Sequence, residues 1–341
     1  MKIKLTNLSI LLNKKGIITF VFVFILSNII AQKEKYIFDY SDIKNFKEAY
    51  LSIQSGADPI KEIDNYFEKG SPGLKSWLDI YGVSSKKLAE QIVKRPQFYK
   101  SFLNIDKTLK GFEDEISNGY SKLLELYPDP NEPILPTYYF VLWSGGGSVR
   151  PNGSMISVDY FGLSKNIDLS EFPEGLFPKG KIPLVPIDNV PHVAVHEMVH
   201  WFQRKFQGLD NYVSIYRNKE RSTLLAYAIR EGGADMLTRF SSGIEDEARN
   251  NFGRKHEKEI WEAFKPNMYK NIDSVKGWFS GSFEDNRQWP FQIGYYIGME
   301  ITQYYYDQAE DKKAAILEIF SANTPEQFIK FVEVYEKKFL D

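Results

Sequence analysis

Cysteine is absent from the 341 residues, which excludes disulfides and a lipid-modified cysteine at a cleavage site. Charge of one sign is not in excess either. Lys and Arg number 43 against 45 Asp and Glu, a formal net charge of -2 with a pI near 6.2. Such a balance gives no general attraction to nucleic acid or to an anionic membrane. The apolar run from Ile17 to Leu26 is too short to span a bilayer comfortably. No internal repeat and no low-complexity tract occurs. Histidine is scarce, with 4 in the chain. Aromatic residues are plentiful at 15%, in a chain 43% hydrophobic and 26% charged. That is globular composition with enough apolar surface for a substantial core, in one large domain or two small ones.

Lys2, Lys4, Lys14 and Lys15 precede the apolar run, and Ser27, Asn28 and Ala31 follow it before Gln32. A basic start, a short apolar stretch and a small residue predict a signal peptide over 1–31, hence export to the periplasm or beyond. An uncleaved N-terminal anchor is the alternative. From Tyr36 to Pro128 the pattern is helical. Ile105, Leu109, Phe112, Ile116, Tyr120, Leu123 and Tyr127 lay one apolar stripe along a helix. "PDPNEPILP" (128–136) ends that region, because proline cannot continue a helix and restrains its predecessor. The expected organisation is therefore a helical N-terminal region, 32–133, and a second domain, 134–341.

"TYYFVLW" (137–143) and "SMISVDYFG" (154–162) read as strands joined through "SGGGSVRPNG", a hairpin or small sheet. Residues 172–186 form a Pro/Gly-punctuated loop, with a strand around Leu184–Ile187. Helices are expected at about 191–206, 222–241, 245–264, 289–308, 310–320 and 325–339. Thr324, Pro325 and Gln327 mark the start of the last as a capping box with proline in the first turn. The fold class is α+β, a small sheet set among many helices.

Chemistry concentrates in "VAVHEMVHWFQ" (193–203). His196 and His200, four apart, project from one helix face and can hold one Zn²⁺, with Glu197 alongside. The bland alternative is an apolar helix that happens to carry two histidines. In "TLLAYAIREGGADMLTRF" (223–240) Glu231 and Asp235 share a face. A catalytic zinc takes three protein ligands and an open position, which makes Glu231 the expected third ligand. Asp235, one turn on, can accept the free N–H of a zinc-bound histidine. Gly232 and Gly233 are poor helix residues, explained if two backbones approach closely there.

Other residues compete for roles. His192 continues the spacing of four, but three successive turns span about 12 Å, too far for one zinc; a place at the rim or behind the ligands is expected. His256 lies in the charged "GRKHEKE" and reads as a solvated face, with a part in binding the oxyanion as the alternative. Tyr295 is the first candidate to donate to a developing oxyanion, with Tyr296 beside it as the second. Plain packing is the competing reading for both. Gly145–Gly147 lacks the residues of a phosphate cradle and reads as a flexible hairpin connection. "SMISVDYFG" would serve a peptide substrate if it formed an edge strand beside the zinc; Asp159 within it draws no special role.

"HEMVHWFQ", "REGGADML" and "GYYIGMEI" (294–301) together resemble the motifs of gluzincin metallopeptidases. They are more similar still to a bacterial family of predicted zinc-dependent proteases whose domain has no assigned function. The resemblance covers roughly residues 135 to 335 and is strongest at the first two motifs. It implies a zincin-like fold, zinc ligands His196, His200 and Glu231, the base Glu197, and support from Asp235. One departure stands out: the gap from His200 to Glu231 is longer than in thermolysin-type enzymes. The implied activity is exported, zinc-dependent hydrolysis of peptide or protein substrates through a zinc-activated water. Two other classes share these residues: a zincin-fold envelope binding protein without activity, and a zinc hydrolase of a non-peptide amide or ester.

Overall fold

The computed structural model describes residues 36–129, 131–173, 184–285 and 287–340. The expected signal peptide lies outside the described residues, as does most of the Pro/Gly-rich loop. Among the described residues four short strands form one sheet: β1 (Phe38–Asp39), β2 (Thr137–Phe140), β3 (Gly147–Arg150) and β4 (Gly153–Ser157). Their order is β1-β2-β4-β3. β1 and β4 run parallel to β2, and β3 pairs antiparallel with β4, Arg150 opposite Gly153.

The hairpin therefore joins β3 to β4 through Pro151 and Asn152, not the two aromatic runs to each other. β4 is interior and β3 is the edge, which corrects the expectation that "SMISVDYFG" supplies an edge strand. The rest of that run, Val158–Phe161, coils into a 3-10 turn. The cause is Asp159, which is fully buried. Its carboxylate accepts the N–H groups of Leu142 (3.1 Å) and Trp143 (2.6 Å) and the Ser157 hydroxyl (2.9 Å). Backbone donors that would continue β2 are thus turned inward, and Trp143 takes a left-handed φ of 54°.

Between β1 and β2 the chain is helical, as its periodicity predicts: α1 (Ser41–Gln54), α2 (Pro59–Glu68), α3 (Pro72–Tyr81), α4 (Ser85–Lys94), α5 (Pro96–Lys100), α6 (Asp106–Lys110) and α7 (Glu113–Leu126). The stripe from Ile105 to Leu123 is buried at Ile105, Leu109, Ile116, Tyr120 and Leu123. It spans two helices, however. The chain tightens at Gly111 and Phe112, whose N–H groups bond three residues back, at 3.0 Å each, to Thr108 and Leu109. Glycine's low helix propensity makes this the weak point. Phe46, Tyr66, Trp77, Phe98 and Tyr99 join Tyr139, Phe140, Met155 and Ile156 of the sheet in one buried cluster. Since β1 pairs with β2, the N-terminal helices and the segment after 134 share a sheet and a core.

The remaining helices are α8 (Val190–Gln207), α9 (Leu209–Arg217), α10 (Leu224–Ser242), α11 (Glu247–Lys255), α12 (Glu257–Phe264), α13 (Ile293–Gln308), α14 (Lys312–Ser321) and α15 (Pro325–Glu336). The expected helix 245–264 is two, broken at His256 with φ −120°. The capping box at Thr324 and Gln327 forms, with Pro325 in the first turn. α9 is an addition: Gly208, at φ 78°, reverses the chain into it. α8 packs on β3 and β4 and, on other sides, on α7, α10 and α14. The architecture is mainly helical α+β. No described helix is long and apolar enough to cross a membrane.

α10 and α13 meet backbone to backbone. A Cβ on Gly298 would stand 1.8 Å from the Ala228 carbonyl oxygen, and one on Gly232 would stand 2.2 Å from backbone atoms of Gly298 and Met299. Gly233 has more room, its nearest neighbour being the Ile319 side chain at 3.2 Å. The close approach expected at this glycine pair thus rests on Gly232, with Gly298 of "GYYIGMEI" as its counterpart. Replacing Gly298 by Val is expected to cost about 3 kcal/mol or more, because backbone cannot yield as a rotamer does. Gly233→Ala should cost far less. Urea unfolding midpoints of the two variants check this; equal midpoints would contradict it.

Candidate metal centre

α8 stacks His192, His196 and His200 on one face, a turn apart, and α10 answers with Glu231 and Asp235, also a turn apart. All five are buried. His200 Nε2 lies 3.0 Å and His196 Nε2 3.4 Å from the same oxygen, Glu231 Oε2. The two rings stand nearly perpendicular, at 89°, with centroids 4.5 Å apart. Donors at the corners of a tetrahedron around a metal bound at about 2.0–2.1 Å are separated by about 3.3–3.4 Å. The observed spacings match those edges, so His196, His200 and Glu231 could hold a metal ion.

Each donor has a second contact, a hydrogen bond for His200 and Glu231 and a charge contact without hydrogen-bond geometry for His196. His196 Nδ1 lies 2.8 Å from Asp235 Oδ1. His200 Nδ1 donates to Gln203 Oε1 at 2.8 Å, and Gln203 Nε2 in turn donates to the Arg230 carbonyl at 3.1 Å. With a proton on each Nδ1, both Nε2 lone pairs point at the shared space. Tyr216 O–H donates to Glu231 Oε1 at 2.7 Å and leaves Oε2 to face the histidines. Arg249 pairs with the second oxygen of Asp235.

Burial alone would disfavour charge on every one of these groups; their neighbours reverse that for three. His196 is opposed by burial, yet Asp235 and Glu231 push it up to about 10. Glu231 overcomes burial through His200 and His196 and stays well below the usual carboxylate range. Asp235 does so through Arg249 and His192. In the metal-free protein a proton on His196 thus occupies the electrostatic place of a cation.

His192, Asp235 and His196 form a second group of buried donors, with His192 Nε2 3.2 Å from Asp235 Oδ1. That oxygen already faces His196, and its partner oxygen carries Arg249. A fixed guanidinium disfavours a metal cation there, and His192 sits behind the candidate ligands, against Asp235.

The site opens into a cleft of two lobes, about 180 Å³ and 340 Å³, both walled by Gly147, His196, Glu197 and Tyr295. Glu197 lies beneath β3: a Cβ on Gly147 would stand 2.7 Å from its Oε1. Gly147, the last of the three glycines, is therefore where the edge strand crosses the acid, while Gly145 and Gly146 lie against Trp77 and Tyr160. Burial raises the Glu197 pKa, against the pull of His200 and His196.

Tyr295, at the start of α13, lines both lobes with its ring 5.8 Å from that of His196. Burial, reinforced by Glu231 and Asp235, keeps its phenol protonated. Tyr296 points elsewhere, buried against Gly253 of α11. His256 stacks on Phe252 and pairs with Glu259 at 3.1 Å, outside the cleft lining. Sequence reasoning missed Gln203, Tyr216 and Arg249. Gln203 carried a usable signal, three residues after His200 on one helix; the other two reach the site only through packing. No known family, curated protein or solved structure matches the chain.

Proposed function

We propose that the protein is an exported zinc metallopeptidase with a zincin-like fold. The observation that carries this reading is a buried N, N, O donor set with 3.0 and 3.4 Å spacings, next to a half-buried carboxylate, Glu197, that has no ion-pair partner among the described residues. Two imidazoles and one carboxylate suit Zn²⁺, and the cleft leaves room for an open position. Zinc held there would act as a Lewis acid on water and on the scissile carbonyl.

The chain's own residues account for the remaining steps. Glu197 takes the proton of the attacking water and passes it to the leaving amine; its raised pKa brings it nearer the operating range of a general base. Tyr295 O–H donates to the oxygen that gains charge. Among the described residues no strand pairs with the outer edge of β3 above Glu197, and an extended peptide can add along it as a further strand. The basic-then-apolar start of the chain supports export.

Metal analysis of the purified protein, with hydrolysis of a mixed peptide library, tests the reading. A protein that binds no zinc would overturn it. Replacing Asp235 by Asn is expected to lower metal affinity about 10–100-fold, since the carboxylate that orients His196 is lost. Competition with a fluorescent chelator reads that change.

A further inference from the structure

The two lobes of the cleft differ in charge. The one beside His192 carries Asp235 and Asp246 against Arg249. The lobe of about 340 Å³ beside His200 carries Arg150 and Arg217, while its two carboxylates, Glu197 and Glu231, belong to the base and the metal ligands. Behind it lies Arg204, one turn beyond His200 on α8 and 9% exposed. Burial and the nearby Arg150 both disfavour its charge.

Elsewhere the arginines find partners: Arg95, Arg221 and Arg230 hydrogen-bond to side-chain or carbonyl oxygens, and Arg239, Arg249, Arg254 and Arg287 each form an ion pair. Among the described residues Arg150, Arg204 and Arg217 form none. Arg150 makes one hydrogen bond, from Nη1 to its neighbour's carbonyl at Val149, 2.7 Å away. Arg150 is half-buried and Arg217 exposed, and Arg150 attracts Glu197 without pairing with it, so both guanidiniums keep donors free for an anionic ligand in the cleft. A bound zinc dication would make the lobe more positive still. The planar fork of a guanidinium fits a carboxylate with two parallel hydrogen bonds.

We propose that Arg150 and Arg217, backed by Arg204, form a subsite for a substrate carboxylate on the His200 side of the scissile bond. It rests on the metallopeptidase reading of the same cleft. The carboxylate is either an Asp or Glu side chain or the substrate's own C-terminus. The first makes the enzyme selective for acidic residues; the second makes it trim chain ends.

Isothermal titration calorimetry on the zinc-loaded, full-chain Glu197→Gln protein tests the subsite without turnover. Three pentapeptides are compared: one capped at both ends with a central Gln, one capped with a central Glu, and one with Gln and a free C-terminal carboxylate. At least one acidic peptide is expected to bind about tenfold or more tightly than the neutral one, with a preference that shrinks as salt rises. The peptide that gains identifies the source of the carboxylate. Adding Arg150→Gln or Arg217→Gln should abolish the gain, with thermal melting used to show that each variant folds. Equal binding of all three peptides, undetectable binding of all three, or a preference that survives both substitutions would overturn the subsite. Wild-type hydrolysis of the same peptides is measured separately. Its absence beside an intact carboxylate preference sinks the peptidase reading and leaves the subsite standing.

Discussion

Replacing Glu197 by Gln is expected to lower kcat for peptide hydrolysis about 10²–10⁴-fold, the usual contribution of a positioned general base, with metal content unchanged. Gln keeps the volume that fits under Gly147, where a Cβ would stand 2.7 Å from Oε1, so β3 and the cleft wall should hold their places. What is lost is the ability to accept a proton. The wild-type pH profile carries a second signature. Burial raises the Glu197 pKa, and a base must be deprotonated to act. The rate should therefore fall on acidification through a pKa above that of an exposed glutamate, and the residual rate of the variant should lack that limb. Steady-state kinetics across pH, with metal measured on the same samples, checks both. A variant within about fivefold of wild type would remove Glu197 from the mechanism, since even a weak base contributes more.

Helix geometry explains how much of this site was legible beforehand. His196 and His200, and Glu231 and Asp235, are each four residues apart, so sequence spacing becomes a shared face without any knowledge of the fold. The weak helix formers Gly232 and Gly233 likewise announced a close approach, though only the structure names Gly298 as the other half. Residues that arrive from another element carry no such signal. Tyr216 comes on α9, a helix of 9 residues behind Gly208 whose periodicity spans only about two and a half turns, and Arg249 comes on α11. The sheet was less legible for a related reason. β2 is ended by Asp159, far from it in sequence, and strand order depends on which backbone groups remain to pair. Local weaknesses at Gly111 and His256 split helices that apolar periodicity alone would join.

Removing Glu231, the proposed third ligand, should have the largest effect on metal binding. Glu231→Ala is expected to lower zinc affinity by at least about a hundredfold, the upper end of what losing a ligand's supporting partner costs. The substitution deletes one donor of three and the anion that offsets a dication in a buried site, and it leaves Tyr216 without its acceptor. The pH dependence follows from the same charges. Without metal, His196 resists burial and is pushed up to about 10 from 6.5 by Asp235 and Glu231. A ring that must shed this proton to coordinate binds metal more tightly as pH rises, about tenfold per unit for one proton displaced. Stability runs the other way in the metal-free protein. A pKa raised in the folded state contributes stability that is full below about 6.5 and lost as pH rises toward 10. The melting temperature of chelated protein should therefore fall between pH 7 and pH 10, while that of zinc-loaded protein, whose histidines are already neutral, should not share this fall. Glu231→Ala removes one of the two carboxylates that retain the proton, so both slopes should flatten. Melting curves with and without chelator, alongside metal titrations at several pH values, read all of this. Affinity that ignores pH would mean that no proton yields to the metal. The 3.0 and 3.4 Å spacings would then belong to a hydrogen-bonded cluster, not to the edges of a coordination shell.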